Sequence, residues 1–399
     1  MSALSVSVHG SISELQKEAW NALLTDSDNP FVRYEFLAAL EQSGCVCPET
    51  SWTPCHFAIR RGNTLCAVVP AYIKDGSDGD FSRDWEWAGA AQRAGIPYYP
   101  KLVLGIPFTP VCGRRVLHPE GLPPHEISDL FSCVIATAKQ IMKRFSLGAI
   151  QVLFPPADQQ ELFVAHGLIP RIDFQYHFFN PGYRDRDEFD ARFSSKRRNI
   201  LKRERSAPES QGIQIRTLRA EQLLRDPVHY AKLAHALHRS TVDKLVWGRR
   251  WLNQAFYRRV FAAMPAPMQL VAAEREGRII AGAFNVAAAG RLFGRYWGCF
   301  EEHPFLHFTV CYYHSIDECI AHGVQVFEGG AGGEHKIARG FEPAPTYSAH
   351  AFSHAGFAEA LKKHLADEAA HRAAALAAWA AEAKVLKPLP QLGGDAQPQ

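Results

Sequence analysis

Long apolar runs are missing from this chain. No window approaches the roughly 18 uncharged apolar residues that a membrane-spanning helix needs, and the opening stretch "MSALSVSVHGSISELQ" has neither a basic start nor an apolar core. The sequence therefore predicts neither a membrane span nor a signal peptide. An excess of charge of one sign is also missing, because 44 Lys and Arg residues are nearly balanced by 41 Asp and Glu residues, which leaves a net charge of +3. This balance excludes a polybasic protein that coats nucleic acid, and binding to DNA is not expected.

Metal-binding and redox motifs are missing too. The nine cysteines are scattered, and the pair Cys45 and Cys47 lacks the two-residue spacer of a zinc or redox site. This usage favours a cytoplasmic location. No HExxH motif occurs, and a proline between His303 and His307 argues against a helix face that holds a metal. We predict no bound metal, and a metal-dependent hydrolase stays open as a second alternative function.

Two stretches of the chain repeat one pattern. "QVLFPP…VAHGLIP" in the first half and "QVFEGG…IARGFEP" in the second each read as strand, loop, helix, glycine, apolar residue and proline. The glycines after these helices, Gly167 and Gly340, are expected in the left-handed conformation. A chain of 399 residues is too long for one ordinary core. The pattern predicts an α/β (α+β) fold made by tandem duplication of two mixed-sheet domains.

The expected organisation has four parts. The first domain covers 1–180, and the second, 181–355, carries the probable site. The Ala-rich, charged segment 356–386 predicts a C-terminal helix, and 387–399 has the composition of a disordered tail. In the first domain, "HFAIRRGNTLCAVVPAYIK" predicts a hairpin and "DWEWA" a further strand.

The stretch "EGGAGGEHKIARGFEP" follows a predicted strand. Gly330, Gly332 and Gly333 allow a partner to approach the backbone closely, and N–H groups at a helix start can hold an anion. Neither GxxxxGK[ST] nor GxGxxG fits in register, so close packing at a domain junction stays open as the structural alternative. Lys336 and Arg339 follow on the predicted helix, where we expect them to contact a substrate.

The stretch "GRYWGCFEEHPFLHF" gathers polar groups at a strand end and loop, namely Arg295, Tyr296, Glu301 and Glu302. A carboxylate or imidazole in such a place can act as general base on an attacking amine, and Tyr296 can act as acid to the leaving group. His335 is expected nearby, because the glycine loop follows the neighbouring strand.

Two more segments are candidates for contact with a donor. "FDARFSSKRRNILKRERS" carries seven basic residues and predicts a helix. Arg197, Arg198 and Arg203 in it are expected to contact donor phosphates, and a solvated helix face is the alternative. "HRSTVDKLVWGRRWLNQAFYRRVF" predicts an aromatic-rich helix or helix pair in which Trp247 belongs to the core, to a pocket wall or to a substrate cover.

The segments "GRLFGRYWG", "FEGGAGGEHKIARGFEPAPTYSAHAF" and "SSKRRNILKRER" resemble a bacterial family labelled FemAB-like, or peptidoglycan biosynthesis protein, within the GNAT superfamily of N-acyltransferases. The resemblance covers most of 1–355 and implies a tandem of two GNAT-like domains. It also implies acyl-CoA or aminoacyl-tRNA as donor co-substrate, with no tightly bound cofactor. Where the superfamily has a [QR]xxGx[GA] loop for CoA, this chain has "CFEEHPFLHF", without a glycine.

The expected function is N-acyl or aminoacyl transfer to an amine on a small molecule or peptide, in cell-envelope or peptidoglycan metabolism. Glu301, Glu302 or His335 is the expected base, and Lys336 with Arg295 is expected to contact the oxyanion. The first alternative is a non-catalytic protein that binds nucleic acid or another polyanion on the same scaffold.

Overall fold

The computed structural model describes residues 3–246, 248–288, 290–382 and 386–387. Its strands are, in chain order, β1 (Leu4–His9), β2 (Trp52–Pro54), β3 (His56–Arg61), β4 (Thr64–Val69), β5 (Ala71–Lys74), β6 (Lys101–Leu104), β7 (Ala149–Leu153), β8 (Ile169–Phe179), β9 (Gln214–Leu218), β10 (Met268–Arg275), β11 (Arg278–Ala288), β12 (Arg291–Cys299), β13 (Val326–Glu328) and β14 (Glu342–Phe352).

The α-helices are α1 (Lys17–Asn21), α2 (Tyr34–Gln42), α3 (Trp85–Arg93), α4 (Pro124–Arg144), α5 (Ala157–Ala165), α6 (Arg186–Ala191), α7 (Ser195–Ser210), α8 (Ala220–Leu223), α9 (Pro227–Val242), α10 (Gln254–Ala263), α11 (Leu306–Phe308), α12 (His314–Ala321) and α13 (Ala355–Glu382). A π-helical turn, Thr309–Tyr313, joins α11 to α12, and a 3₁₀ helix, Glu334–Arg339, follows the glycine loop. Within the described residues, every helix falls short of the length and apolar character of a membrane span.

One mixed sheet runs through the whole molecule. Its eleven strands have the order β2-β5-β6-β7-β14-β8-β13-β12-β11-β10-β9, and β1, β3 and β4 form a separate small sheet. The pairs β6–β7 and β12–β13 are parallel, and the other pairs within the large sheet are antiparallel. Each parallel pair needs a helical crossover, which α4 supplies in the first half and the helical stretch α11 to α12 in the second.

The repeated pattern of the sequence is confirmed as a duplicated α/β fold with a mixed sheet. In each half a parallel strand (β7 or β13) leads through a loop and helix to a glycine and then to an antiparallel strand (β8 or β14). Gly167 and Gly340 both have φ of +92°, as expected for helix-ending glycines. However, β14 lies between β7 and β8, so the last strand of the second half completes the sheet of the first. The division between 180 and 181 therefore stays a prediction.

The segment "DWEWA" was expected as a strand, and this expectation is wrong: it begins helix α3. The helix continues through "GAAQR", in which Ala and Gln favour helix. Trp87 and Ala91, four residues apart, share one face and are buried against the C-terminal helix and the end of β14. A short aromatic segment has no decisive period of its own, so this burial selects the helix.

The C-terminal helix is confirmed over the described residues. α13 lies along β8 and β14, where Phe357, Leu361 and Leu365 are buried. Arg171 of β8 donates to Glu368 of α13 at 3.0 Å. The expected disordered tail, 387–399, lies outside the described residues except for its first residue.

Candidate active site

A cleft opens where the second parallel strand pair separates. β12 and β13 are paired from Arg291 to Phe293 opposite Val326 to Glu328. Beyond that point β12 continues to Cys299, whereas the other chain turns away into the glycine loop. The resulting cleft has a volume of about 470 Å³. Both halves of the chain line it, because Phe81, Phe108 and Pro110 of the first half form one wall.

The aromatic wall is held by stacking between distant segments. Trp251 stacks on Phe108 with ring centres 5.6 Å apart and an interplanar angle of 14°. Phe81 meets the same indole edge-on at 5.5 Å. On the opposite side, the His238 ring lies 4.2 Å from that of Tyr296. No local pattern predicts a role for Phe81 or Phe108, since their contacts bridge segments far apart in the chain.

Arg295 enters the cleft through a β-bulge. Tyr296 of β12 faces Phe284 of β11, but Asn285 faces Gly294, so Arg295 is the extra residue. A bulge of this kind turns a side chain away from the regular pleat. The guanidinium Nη2 donates to the carbonyl oxygen of Phe108.

Lys336 lies under the glycine loop. Its side chain is buried, and Nζ donates to the carbonyl oxygens of Gly330 and Gly332 at 2.7 Å each. Burial lowers the pKa of Lys336 to about 8. Gly330, Gly332 and Gly333 have φ of +83°, +75° and +91°, a backbone that only glycine adopts readily. The lysine therefore fixes the shape of the loop.

The loop presents backbone donors. In the part of the chain that the structure describes, the N–H groups of Gly330, Ala331 and Gly332 have no protein acceptor. Successive N–H groups without an internal acceptor can form a concave anion-binding surface in a turn. Unlike a P-loop, this loop leads into a 3₁₀ helix, so the groups here that could hold an anion are these amides and Lys336.

Histidines form the remaining polar wall. Tyr312 Oη lies 3.0 Å from His335 Nε2, and His335 stands at the rim of the cleft. Burial, with the charges of Arg339 and Lys336, lowers the pKa of His335. Burial lowers the pKa of His307 to about 4. Both imidazoles are therefore neutral at pH 7 and able to accept a proton.

The charge of the cleft is one-sided. Among the described side chains that line it, none is an Asp or Glu. Three are cations, Arg249, Arg295 and Lys336, and three are imidazoles that their lowered pKa leaves neutral at pH 7, His238, His307 and His335. A cleft of this composition favours substrates that carry negative charge. Arg249 lies in the predicted aromatic-rich segment, but its role was not foreseen.

Glu301 and Glu302 lie away from the cleft. Glu302 is exposed and pairs with Lys244 at 2.6 Å. Glu301 pairs with Arg275 at 3.7 Å and with His303 at 3.3 Å. The strand β12 ends before them and the chain bends outward, which separates both carboxylates from the loop. The role of Glu301 or Glu302 as the general base therefore stays a prediction, and this geometry does not support it.

Arg339 forms an internal clamp instead of lining the cleft. It donates to Glu204 of α7 at 2.9 Å and to the carbonyl oxygen of His335 at 2.8 Å. Its guanidinium lies 3.3 Å from the ring centre of Phe308. Tyr313 also donates to Glu204. These contacts hold the 3₁₀ helix that carries Lys336 against α7.

The basic segment forms two helices, α6 and α7, and Ser194 caps the second. Arg197 donates to the carbonyl oxygen of Ala338 at 2.6 Å, and Arg198 donates to a backbone oxygen just before its helix at 2.7 Å. Arg203 is exposed. α7 thus lies beside the cleft, but two of the three predicted arginines have internal acceptors. Trp247 lies outside the described residues.

The exposed basic face of α7 consists of three cations without a carboxylate partner among the described residues: Lys196, Lys202 and Arg203.

Within the described residues, no group of three or more His, Cys, Asp or Glu side chains is placed to hold a metal ion. His303, half of the expected HxxxH pair, contacts Gln211 at 3.0 Å, whereas His307 packs on Trp297 in the cleft.

The corresponding opening in the first half is filled by the chain itself. The loop after β6 bonds to the end of β7, with Gly113 N–H donating to Phe154 O at 3.0 Å. Arg115 is fully buried there and donates to the carbonyl oxygens of Leu153 and Val111 at 2.7 Å each. Only the second copy of the motif therefore has an open cleft within the described residues.

The duplicated sheet with one open cleft at a splayed strand pair agrees with a transferase enzyme, the class to which the family match assigns the chain. The FemAB-like family model, described as peptidoglycan biosynthesis/recognition, matches residues 11–386. The chain belongs to this family, as the sequence resemblance predicted.

Solved structures share the fold at low identity. The C-terminal domain (DUF2156) of a putative lysylphosphatidylglycerol synthetase from Agrobacterium fabrum matches with a TM-score of 0.54 and 10% identity, over 88% of this chain and 95% of that one. FemX matches with a TM-score of 0.50 and 11% identity, over 84% and 96%. No curated protein sequence matches the chain.

Proposed function

We propose that this FemAB-like transferase moves an acyl or aminoacyl group from an ester or thioester to an amine, with the reacting carbonyl beside the glycine loop. The observation that carries the proposal is Lys336, which is buried and donates to two loop carbonyl oxygens, while three loop N–H groups have no acceptor among the described residues. An ammonium has three donors, so one N–H of Lys336 stays available.

The reaction follows from these groups. The amine nitrogen attacks the carbonyl carbon, and the loop amides with Lys336 stabilise the negative charge on the tetrahedral intermediate. Neutral His335, positioned by Tyr312, takes the proton from the attacking nitrogen. The bond from carbon to the leaving oxygen or sulfur then breaks, and the same proton moves to the leaving atom. The products are an amide and the free alcohol or thiol.

Donor selection rests on the surroundings of the cleft. α7 lies directly behind the 3₁₀ helix and exposes its basic face, which suits the phosphates of an RNA. At the end of β12, where a CoA pyrophosphate is bound in GNAT-like proteins with the glycine signature, this chain has Glu301 and Glu302 and no glycine. We therefore infer an aminoacyl ester on tRNA as donor and regard acyl-CoA as the alternative.

The acceptor is proposed to be an amine on a peptidoglycan precursor peptide or a related small molecule, in keeping with the family description. A fold neighbour named as a putative lysylphosphatidylglycerol synthetase gives a second precedent for an aminoacylated cell-envelope product.

The test is a product assay by mass spectrometry. Purified protein is incubated with a muropeptide that has a free side-chain amine and with either a mixture of charged tRNAs or a panel of acyl-CoA thioesters. A mass gain of one aminoacyl group is expected with tRNA, and Lys336→Met is expected to lower its rate by about 10²–10³-fold. Arg216→Gln, an exposed substitution on β9, is the matched control.

The outcomes separate the parts of the proposal. A mass gain from thioesters alone would leave the transferase in place and contradict the tRNA donor. No product from any donor with a folded protein, or full activity in Lys336→Met, would contradict the assignment of this cleft.

A further inference from the structure

Arg295, which is half-buried, differs from the fully buried Arg115 of the first half in how its donors are used. Arg115 also lacks a carboxylate, yet it donates to carbonyl oxygens of Val111, Gly113, Arg114 and Leu153. Arg295 has two internal oxygen contacts, Phe108 O and the Tyr296 hydroxyl. A guanidinium has five N–H donors, and Arg295 lines the cleft, so several of its donors have no protein acceptor among the residues that the structure describes.

The position of Arg295 is fixed before any ligand arrives. It lies between aromatic rings, 5.3 Å from the ring centre of Phe31 and 5.5 Å from that of Tyr296. The bulge in β12 and the bond to Phe108 O set its direction. A planar fork that is held in this way binds carboxylate or phosphate oxygens in a bidentate manner at a low cost in side-chain entropy.

Among the described side chains Arg295 forms no ion pair, although its charge acts on the buried carboxyl group of Glu328. Arg291, at the start of the same strand β12, pairs with one oxygen of Glu328, and burial raises the pKa of this carboxyl group. Lys336 adds a second cation to the same cleft. Two cations in a partly buried cleft are costly unless an anion joins them, which points to a counter-ion supplied from outside.

We propose that Arg295 binds an oxyanion of the substrate, a carboxylate or phosphate, and thereby selects substrates that carry this group close to the reacting atoms. The inference rests on the proposed function, because it places the oxyanion in the same cleft. If the acceptor substrate carries the oxyanion, the acceptor is an amine with a nearby carboxylate, as in an amino acid or diamino acid. If the donor substrate carries it, the oxyanion is a phosphate near the ester.

The test measures binding, so it needs no turnover. Thermal unfolding is followed at constant ionic strength with diaminopimelate, lysine and cadaverine, which carry two, one and no carboxylates on similar diamines. Inorganic phosphate is the second arm. We expect lysine and diaminopimelate to raise the melting temperature saturably, and cadaverine to have no effect.

Variants assign the effect to the arginine. Arg295→Gln is expected to weaken carboxylate binding by at least about tenfold, since it removes a charge-assisted bidentate contact. Arg295→Lys keeps the charge and the aliphatic stem, so it is a control for misfolding of the Gln variant. We expect it to bind carboxylates with intermediate affinity. Arg216→Gln should bind like the unaltered protein, because that residue pairs with Glu274 at the surface.

Each outcome decides the proposal. Stabilisation by phosphate but not by carboxylates, lost in Arg295→Gln, would support the oxyanion site and assign it to the donor. Stabilisation that persists in Arg295→Gln, or none from either anion, would overturn it. Anion binding with no transfer product would support the site while the proposed function fails, so the two failures are distinguishable.

Discussion

Lys336 gives the sharpest prediction, because its burial has a measurable cost. The pKa of this ammonium falls from 10.5 to about 8, with burial as the main cause. At about 1.4 kcal/mol per pKa unit, the charged lysine lowers the free energy of unfolding by about 3 kcal/mol at neutral pH. Lys336→Met keeps the buried stem and removes the charge, so this cost disappears in the variant.

The sign of the pH dependence follows from the order of proton release. Below pH 8 the lysine is charged in both the folded and unfolded states, and the full cost applies. Between about pH 8 and 10.5 the folded state loses its proton first, so the unfolded state binds more protons and the stability of the unaltered protein rises with pH. Relative to Lys336→Met, this gain should reach about 2.5 kcal/mol between pH 7 and pH 10.

The assay is urea unfolding of both proteins at several pH values from 7 to 10. The difference between the two unfolding free energies cancels groups that titrate equally in both. Loss of the bonds to Gly330 and Gly332 adds an offset, but the slope with pH reports the buried charge alone. Lys202→Met, on the exposed face of α7, is the matched control and should give a flat difference. A flat difference for Lys336→Met, within about 0.5 kcal/mol, would refute the reasoning.

Three other predictions follow from separate contacts. The pKa of His335 lies below its usual 6.5, so kcat/KM should stay constant from pH 7 down to that lowered pKa and then fall as the imidazole gains a proton. His335→Gln should abolish this fall at low pH and slow transfer by about 10²–10⁴-fold. An unchanged profile would exclude His335 as the base. Gly340→Ala should lower the free energy of unfolding by well over about 2 kcal/mol, because the new Cβ would lie 2.4 Å from Phe189 in a left-handed backbone. Gly212 is also left-handed but has open space around it, so Gly212→Ala should lower it by only about 1–2 kcal/mol. Urea unfolding measures both values, and equal costs would contradict the packing of Phe189 on Gly340. Replacing the three exposed cations of α7 by Gln should reduce the log–log salt slope of tRNA binding by about 2 to 3, and an unchanged slope would remove α7 from the donor site.

Local sequence decided the elements of the fold. The strands of the second half, the helix after them and the glycines at 167 and 340 follow from residue periodicity and from backbone preferences that act within a few residues. The same local signals placed Lys336 and the glycine loop at the end of a strand, and the resemblance carried by these motifs predicted the family that the whole-chain match confirms. The error at "DWEWA" arose where the local signal was weak, since burial of Trp87 against α13 and β14 selects the helix.

Tertiary structure decided what surrounds the reacting groups. Arg295 meets Phe108 across 187 positions of the chain, and β14 inserts between two strands of the other half. The outward bend after β12 removes Glu301 and Glu302 from the cleft, although they are close to Arg295 in sequence. Such placements depend on which distant surfaces bury each other, and no short stretch contains that information. The sequence by itself therefore determined the scaffold and the loop, whereas packing between the halves determined the charge and shape of the cleft.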